Sequence, residues 1–180
     1  MSTLGKGLDV QKVAVDLLQT IITHWAAATS LDVVPLPTRR AVVPGDPRTI
    51  AWDCEQLTVS MVGIGYGQAL DEASPSRRAG SPTSVSGLRH AILAVTLVRC
   101  TPVGKEDGTP PTVAELDAAG RVFFRDCGMI SQALMTYCSD VRKHLSSAES
   151  VQAGAVDPVG PSGGYHGIET TLAITLGNLV

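Results

Sequence analysis

Residues Thr112–Leu145, TVAELDAAGRVFFRDCGMISQALMTYCSDVRKHL, carry one uninterrupted helical pattern, and residues Gly163–Leu176, GGYHGIETTLAITL, carry an alternating one. In the first stretch Leu116, Ala119, Phe123, Cys127, Ile130, Leu134, Cys138, Val141 and Leu145 recur at steps of three and four. That spacing lines one face of a helix, and no polar residue interrupts the stripe. In the second, Ile168, Leu172, Ile174 and Leu176 share one parity while Glu169, Thr171 and Thr175 take the other. A strand with one buried and one wet face reads this way. The helix has a defined start, because Thr112-Val113-Ala114-Glu115 has the arrangement of a capping box, hydroxyl and carboxylate satisfying first-turn donors reciprocally. Gly120 and Gly128 each cost the helix about 1 kcal/mol relative to Ala and mark places for close packing of a neighbour.

Upstream, Leu8–Ala28 forms a second amphipathic pattern through Leu8, Val10, Val13, Ala14, Leu17, Leu18, Ile21, Ile22 and Trp25. Pro35, Pro37, Pro44 and Pro47 then deny helix continuation and ladder donors, so Asp32–Arg48 reads as an extended connection with a short strand at Arg40–Val43. Thr49–Ile64 is strand-like but changes phase between Ile50, Trp52, Cys54 and Leu57, Val59, Met61, which predicts a β-bulge near Gln56. Arg89–Cys100 is apolar on both parities and must be covered on both faces, the second by a loop, another sheet or another subunit. Two stretches, Tyr66–Leu88 and Ser146–Gly160, read as long loops.

The order helix, strand, long loop, strand, helix, strand predicts an α+β fold over residues 1–180 as a single domain. It has one mainly antiparallel sheet and two amphipathic helices packed on one face, leaving the other face for partners. Hydrophobic residues make up 44% of the chain, charged ones 17% and aromatics 4%, so the core is aliphatic and some apolar surface is expected to meet a partner. A net charge of −3 gives no general attraction to phosphates and argues against a dedicated nucleic-acid binder. Arg39 with Arg40 and Arg77 with Arg78 read as solvated loop charges. No apolar run approaches the ~20 residues that span a bilayer, and the N-terminus lacks signal-peptide order, so a cytosolic site of synthesis and no membrane partner are expected. In that compartment the four cysteines are expected as free thiols, although Cys54 and Cys100, on separate strands, could meet.

Chemical motifs are sparse. Gly160-Pro161-Ser162-Gly163-Gly164 matches G-x-S-x-G, but a nucleophile elbow needs a strand before the serine and a helix after it, and here a strand follows. Ser162 is therefore read as part of the turn that launches the last strand. Gly63-Ile64-Gly65-Tyr66-Gly67 lacks dinucleotide-binding spacing and reads as a strand end or hairpin irregularity. His24, His90, His144 and His166 show no metal-ligand spacing; His90 and His166 open strands and are expected at the surface. Asp53 and Glu55 are expected as exposed carboxylates on one strand face. No catalytic residue, metal ligand or cofactor is assigned.

The helix Leu8–Ala28, the strands Ile50–Met61 and Arg89–Arg99, the helix Thr112–Leu145, and Pro161-Ser162-Gly163-Gly164-Tyr165-His166-Gly167 leading into Ile168–Leu176 together resemble the tail terminator proteins of long-tailed bacteriophages, especially those of actinobacterial hosts. The resemblance implies a non-enzymatic virion protein at the junction of tail and neck. Such a subunit forms a homohexameric ring, stops tail-tube polymerisation, contacts the tail-tube protein and a neck or head-to-tail connector protein, and lets DNA pass without specific binding. The long loops and the proline-rich Asp32–Arg48 connection depart from the simplest family members and leave open another connector or neck role. A small cytosolic hydrolase using Ser162 is the alternative from a different class.

Overall fold

The computed structural model describes residues 10–28, 34–45, 54–66, 89–104, 106, 108–143, 148–162 and 164–176. Among them lie two helices, α1 (Val10–Ala27) and α2 (Val113–Arg142), and six strands. The strands are β1 (Arg39–Pro44), β2 (Gln56–Tyr66), β3 (Arg89–Cys100), β4 (Ser150–Ala153), β5 (Asp157–Ser162) and β6 (Tyr165–Leu176). They form one mixed sheet in the order β1-β2-β3-β6-β4, with β5 pairing β6 along the same edge as β4. Only β1 with β2 is parallel; every other pairing is antiparallel. The fold is α+β.

Both helices cover the same sheet face. Val13, Ala14, Leu17, Ile21 and Trp25 of α1 and Ile130, Ala133, Leu134, Tyr137 and Val141 of α2 join one core with Leu57 and Val59 of β2, Ala91, Leu93, Val95 and Leu97 of β3, and Ile168, Leu172, Ile174 and Leu176 of β6. Each buried Val, Leu or Ile among them removes enough apolar area from water to contribute about 1.5–3 kcal/mol before entropy. The capping box forms as expected: Glu115 N donates to Thr112 Oγ1 at 3.2 Å and Thr112 N to Glu115 Oε2 at 2.7 Å. At the other end Lys143 N donates to Ser139 O and Asp140 O, closing the last turn.

Four expectations need correction. The stretch Ser146–Gly160 is not a loop throughout, since β4 and β5 pair with β6 there. β4 is only four residues long, and Pro158 and Gly160 obscured β5 in the sequence, being residues that ordinary strands avoid and edge strands tolerate. The register slip in β2 falls between Met61 and Gly63, not near Gln56. Gln56–Ser60 is buried on both faces, so side-chain parity could not locate it. The sheet face away from the helices is not simply left for partners. Thr58, Ser60, Ala94, Thr96 and Val98 are buried there within a single chain, although Ala94 and Val98 stand outside the helix-side core. Finally, the inner face of α2 differs from the reading: Leu116 is exposed, and Asp126 and Tyr137 are buried. The segment 67–88, with Arg77 and Arg78, together with Leu8, Ile50, Trp52, Asp53, His144 and Leu145, lies outside the described residues.

Candidate functional site

The end of the sheet where β3 finishes and β6 begins gathers the buried ionisable side chains Arg99, Asp126 and His166. Arg99 sits on the core-facing parity of β3, one residue before the strand ends, so its side chain enters the space between sheet and α2. Asp126 meets it from α2. Arg99 Nε donates to Asp126 Oδ2 at 2.9 Å and Nη2 to Asp126 Oδ1 at 3.0 Å, a bidentate pair. Nη2 also donates to the Pro35 carbonyl at 2.8 Å, and Nη1 pairs with Glu55. Every face of the guanidinium is engaged inside the chain, so Arg99 acts as an internal brace and offers little to a ligand.

Burial opposes the charge on both partners. At Arg99 the bonds to Asp126 and the charges of Asp126 and Glu55 outweigh that burial, and its pKa lies above the ordinary value. Burial pushes the Asp126 carboxyl upward, against the pull of Arg99. The Arg99 direction governs the pair, because a guanidinium keeps its proton throughout the accessible range and so holds a carboxylate opposite it.

Two cysteines flank this brace. Cys54 and Cys100 form a disulfide with Cα atoms 5.0 Å apart, which corrects the expectation of free thiols. Cys127 and Cys138 are free. The disulfide joins the residue before Glu55 to the residue after Arg99, and Glu55 itself has φ 60°, a left-handed conformation costly for a non-glycine residue. Glu55 is thus a partner in a braced corner, not one of two free carboxylates on a strand face.

His166 is the cross-strand neighbour of Arg99. Its Nδ1 lies 2.7 Å from Thr101 Oγ1, and its ring meets Phe123 edge-on with centroids 5.9 Å apart. The residue is 9% exposed, and Nε2 is buried without a hydrogen-bond partner. Burial lowers its pKa, Asp126 opposes that shift and Arg99 adds to it, so the ring is neutral near pH 7. Beside it opens a mainly apolar cavity of about 270 Å³ between the first half of α2 and β5, lined by Leu116, Ala119, Gly120, Phe123, Val159 and Pro161 among others.

The outer surface of α2 runs on from this cavity. Val113 is 83% exposed, Phe124 75% and Met135 70%, and Leu116 is half-exposed. Val113, Gly120, Phe124, Ser131 and Met135 follow one another at intervals of seven and four, which puts them on one line along the helix. A Cβ added at Gly120 or Gly128 would meet nothing within 4 Å. No neighbour within the described chain uses the close approach these glycines allow.

The other residues singled out in the sequence do not converge. Residues 160–162 end β5, Gly164 stands at φ 83° just before β6, and the element that follows Ser162 is that strand, not a helix. Gly63 and Gly65 lie within β2 beside its register shift. His24 reaches Gln132 Oε1 at 3.4 Å, and His90 is buried, not a surface residue. Among the described residues no group of three or more His, Cys, Asp or Glu side chains is arranged to hold a metal. The reading missed Arg99 and Asp126. A signal for Asp126 existed, since it sits three residues after Phe123 and four before Ile130, on the inner line of the helix. No protein-family model and no curated protein sequence matches the chain.

Proposed function

We propose that this chain is a structural subunit of a long-tailed bacteriophage, forming a ring that ends tail-tube growth and joins the tube to the neck. The observation that carries this reading is the set of exposed apolar side chains along α2, Val113, Leu116, Phe124 and Met135. A monomer that stayed alone would keep these side chains in water, and covering them by a second chain would remove that apolar area from solvent. The open positions at Gly120 and Gly128 give a second chain room to approach that helix closely.

A ring needs two different surfaces on each subunit, one for each neighbour. The α2 line is one candidate. The outer edge of β1, which among the described residues pairs only with β2, is another, and its exposed Arg39 and Arg40 suit a defined polar contact better than indiscriminate strand pairing. The net charge of −3 fits a channel through which DNA must slide, because tight phosphate neutralisation would hold it. The Cys54–Cys100 disulfide fits a component of a particle that leaves the reducing cytosol on release.

Particles assembled without this protein, viewed by electron microscopy, test the reading. Tails of uncontrolled, excessive length and heads lacking joined tails are expected. Tails of normal length on joined heads would refute termination and joining together.

A further inference from the structure

We propose that the β1 edge of one subunit docks against the β5 edge of a second copy of this chain, with Arg39 and its neighbour Arg40 meeting Asp157 and Glu169. The inference deepens the reading of the chain as a ring subunit and rests on it for the presence of a second copy. Among the described residues β1 pairs only with β2 and β5 only with β6, at opposite sides of the sheet. A contact between these two edges is therefore head-to-tail, the kind from which rings are built.

The two edges carry opposite charge. β1 holds Arg39 and Arg40, both exposed, and no acid. The other side of the sheet holds Glu149, Asp157 and Glu169, and no Lys or Arg follows Lys143 in the chain. Asp157 is exposed and is the direct cross-strand partner of Glu169. Like charges directly opposite one another destabilise a sheet, and a cation placed beside both relieves that cost. A cavity of about 450 Å³ opens there, lined by both carboxylates together with Thr170, Thr171 and part of β5. Its acceptors suit a guanidinium, whose planar fork of donors pairs with carboxylates bidentately.

Strand register brings the two sets of charge to one height. Across the sheet, Arg39 is level with Gln56, Val98, Gly167 and Val159, and Ala41 is level with Thr58, Thr96, Glu169 and Asp157. Arg39 and Asp157 thus share the face away from the helices and differ in level by two residues. A second copy set level beside the first puts Arg39 diagonal to Asp157, a separation of about 7–8 Å that long side chains bridge. Backbone pairing does not select this contact, since Pro158 and Pro161 of β5 have no N–H to donate. Charge selects it. Two β1 edges together would set arginine against arginine, and two β5 edges carboxylate against carboxylate, so the symmetric pairings are disfavoured. The exposed apolar side chains of α2 are left for the tube or the neck.

The experiment is sedimentation velocity on the whole protein at concentrations up to about 1 mM. Wild-type protein is expected to self-associate, and at least about tenfold more weakly when salt rises from about 0.1 to about 1 M, where the Debye length falls from about 10 to about 3 Å. The double variant Arg39→Glu with Arg40→Glu, and separately Asp157→Arg, should each associate at least about tenfold more weakly while keeping the wild-type circular dichroism spectrum. Mixed in equal amounts the two variants should recover association, because each reversed edge then meets an oppositely reversed one. Wild-type protein that stays monomeric, or whose association is indifferent to salt, would overturn the proposal. So would variants that associate as strongly as wild type, the outcome expected if α2 were the surface between copies, or a mixture that stays monomeric. Monomeric wild type with overlong tails in particles lacking the protein removes this contact and keeps the tail reading; charge-dependent association with normal tails does the reverse.

Discussion

Asp126→Asn tests the brace at the centre of the site. The side chains of Asp126 and Arg99 are 1% and 4% exposed, and the carboxylate accepts two guanidinium bonds at 2.9 and 3.0 Å. Asparagine is nearly isosteric and similar in helix propensity, so neither cavity formation nor helix weakening explains a loss. What changes is charge: an amide oxygen can accept one of the two bonds, while the amide nitrogen faces a donor. Removing one partner of a buried ion pair costs about 3–5 kcal/mol. Glu55 remains beside Arg99, with its side chain 41% exposed, so its compensation is screened by water and the lower end, about 3 kcal/mol, is expected. With a urea m-value of about 1.5–2 kcal/mol per M, the unfolding midpoint should fall by about 1.5–2 M at unchanged slope, measured by far-UV circular dichroism. The double change Arg99→Met with Asp126→Leu should recover most of that loss, because no buried charge is left unpaired. A midpoint shift in Asp126→Asn of less than about 0.3 M would show that the pair does not brace this corner.

Three further outcomes follow from separate features. Reducing Cys54–Cys100, or replacing both residues with serine, should lower stability by about 4 kcal/mol through the unfolded state, because the bond closes a loop of sequence separation 46; identical urea curves with and without reductant would contradict this. Gly120→Ala should stabilise by about 1 kcal/mol where nothing crowds the added methyl, whereas Gly167→Ala should lose at least about 2 kcal/mol, because its Cβ would collide with the Leu97 carbonyl in the paired strand. Thermal melts that rank the two variants the other way would refute the packing described. His166 has a folded-state pKa below the unfolded value of about 6.5, so the unfolded chain binds the extra proton first as pH falls. Its contribution is complete above about pH 6.5 and lost as pH drops through the folded pKa; the melting temperature should decline across that window, and less so in His166→Gln.

The amphipathic stripes made the architecture legible, because a three-to-four period or a two-residue alternation states which face is buried without reference to anything distant. β6 is the clearest case, its buried residues Ile168, Leu172, Ile174 and Leu176 falling on the parity read from the sequence. The capping box was legible for the same local reason. What escaped was settled across the sheet. β4 and β5 exist because β6 offers them an edge; β4 is only four residues long, and Pro158, Gly160 and Pro161 of β5 speak against a strand. Arg99 and Asp126 become a pair only when β3 and α2 meet, 27 residues apart in the chain, and the disulfide needs β2 and β3 in register. His166 was read as a surface residue because a histidine opening a strand gives no sign that a helix will cover it.

The claim with the most consequence is that α2 and its surroundings serve assembly at the end of a tail. Tail length in particles lacking this protein, measured by electron microscopy, tests it most directly. Overlong tails unattached to heads are the predicted result; tails of normal, uniform length joined to heads would contradict it.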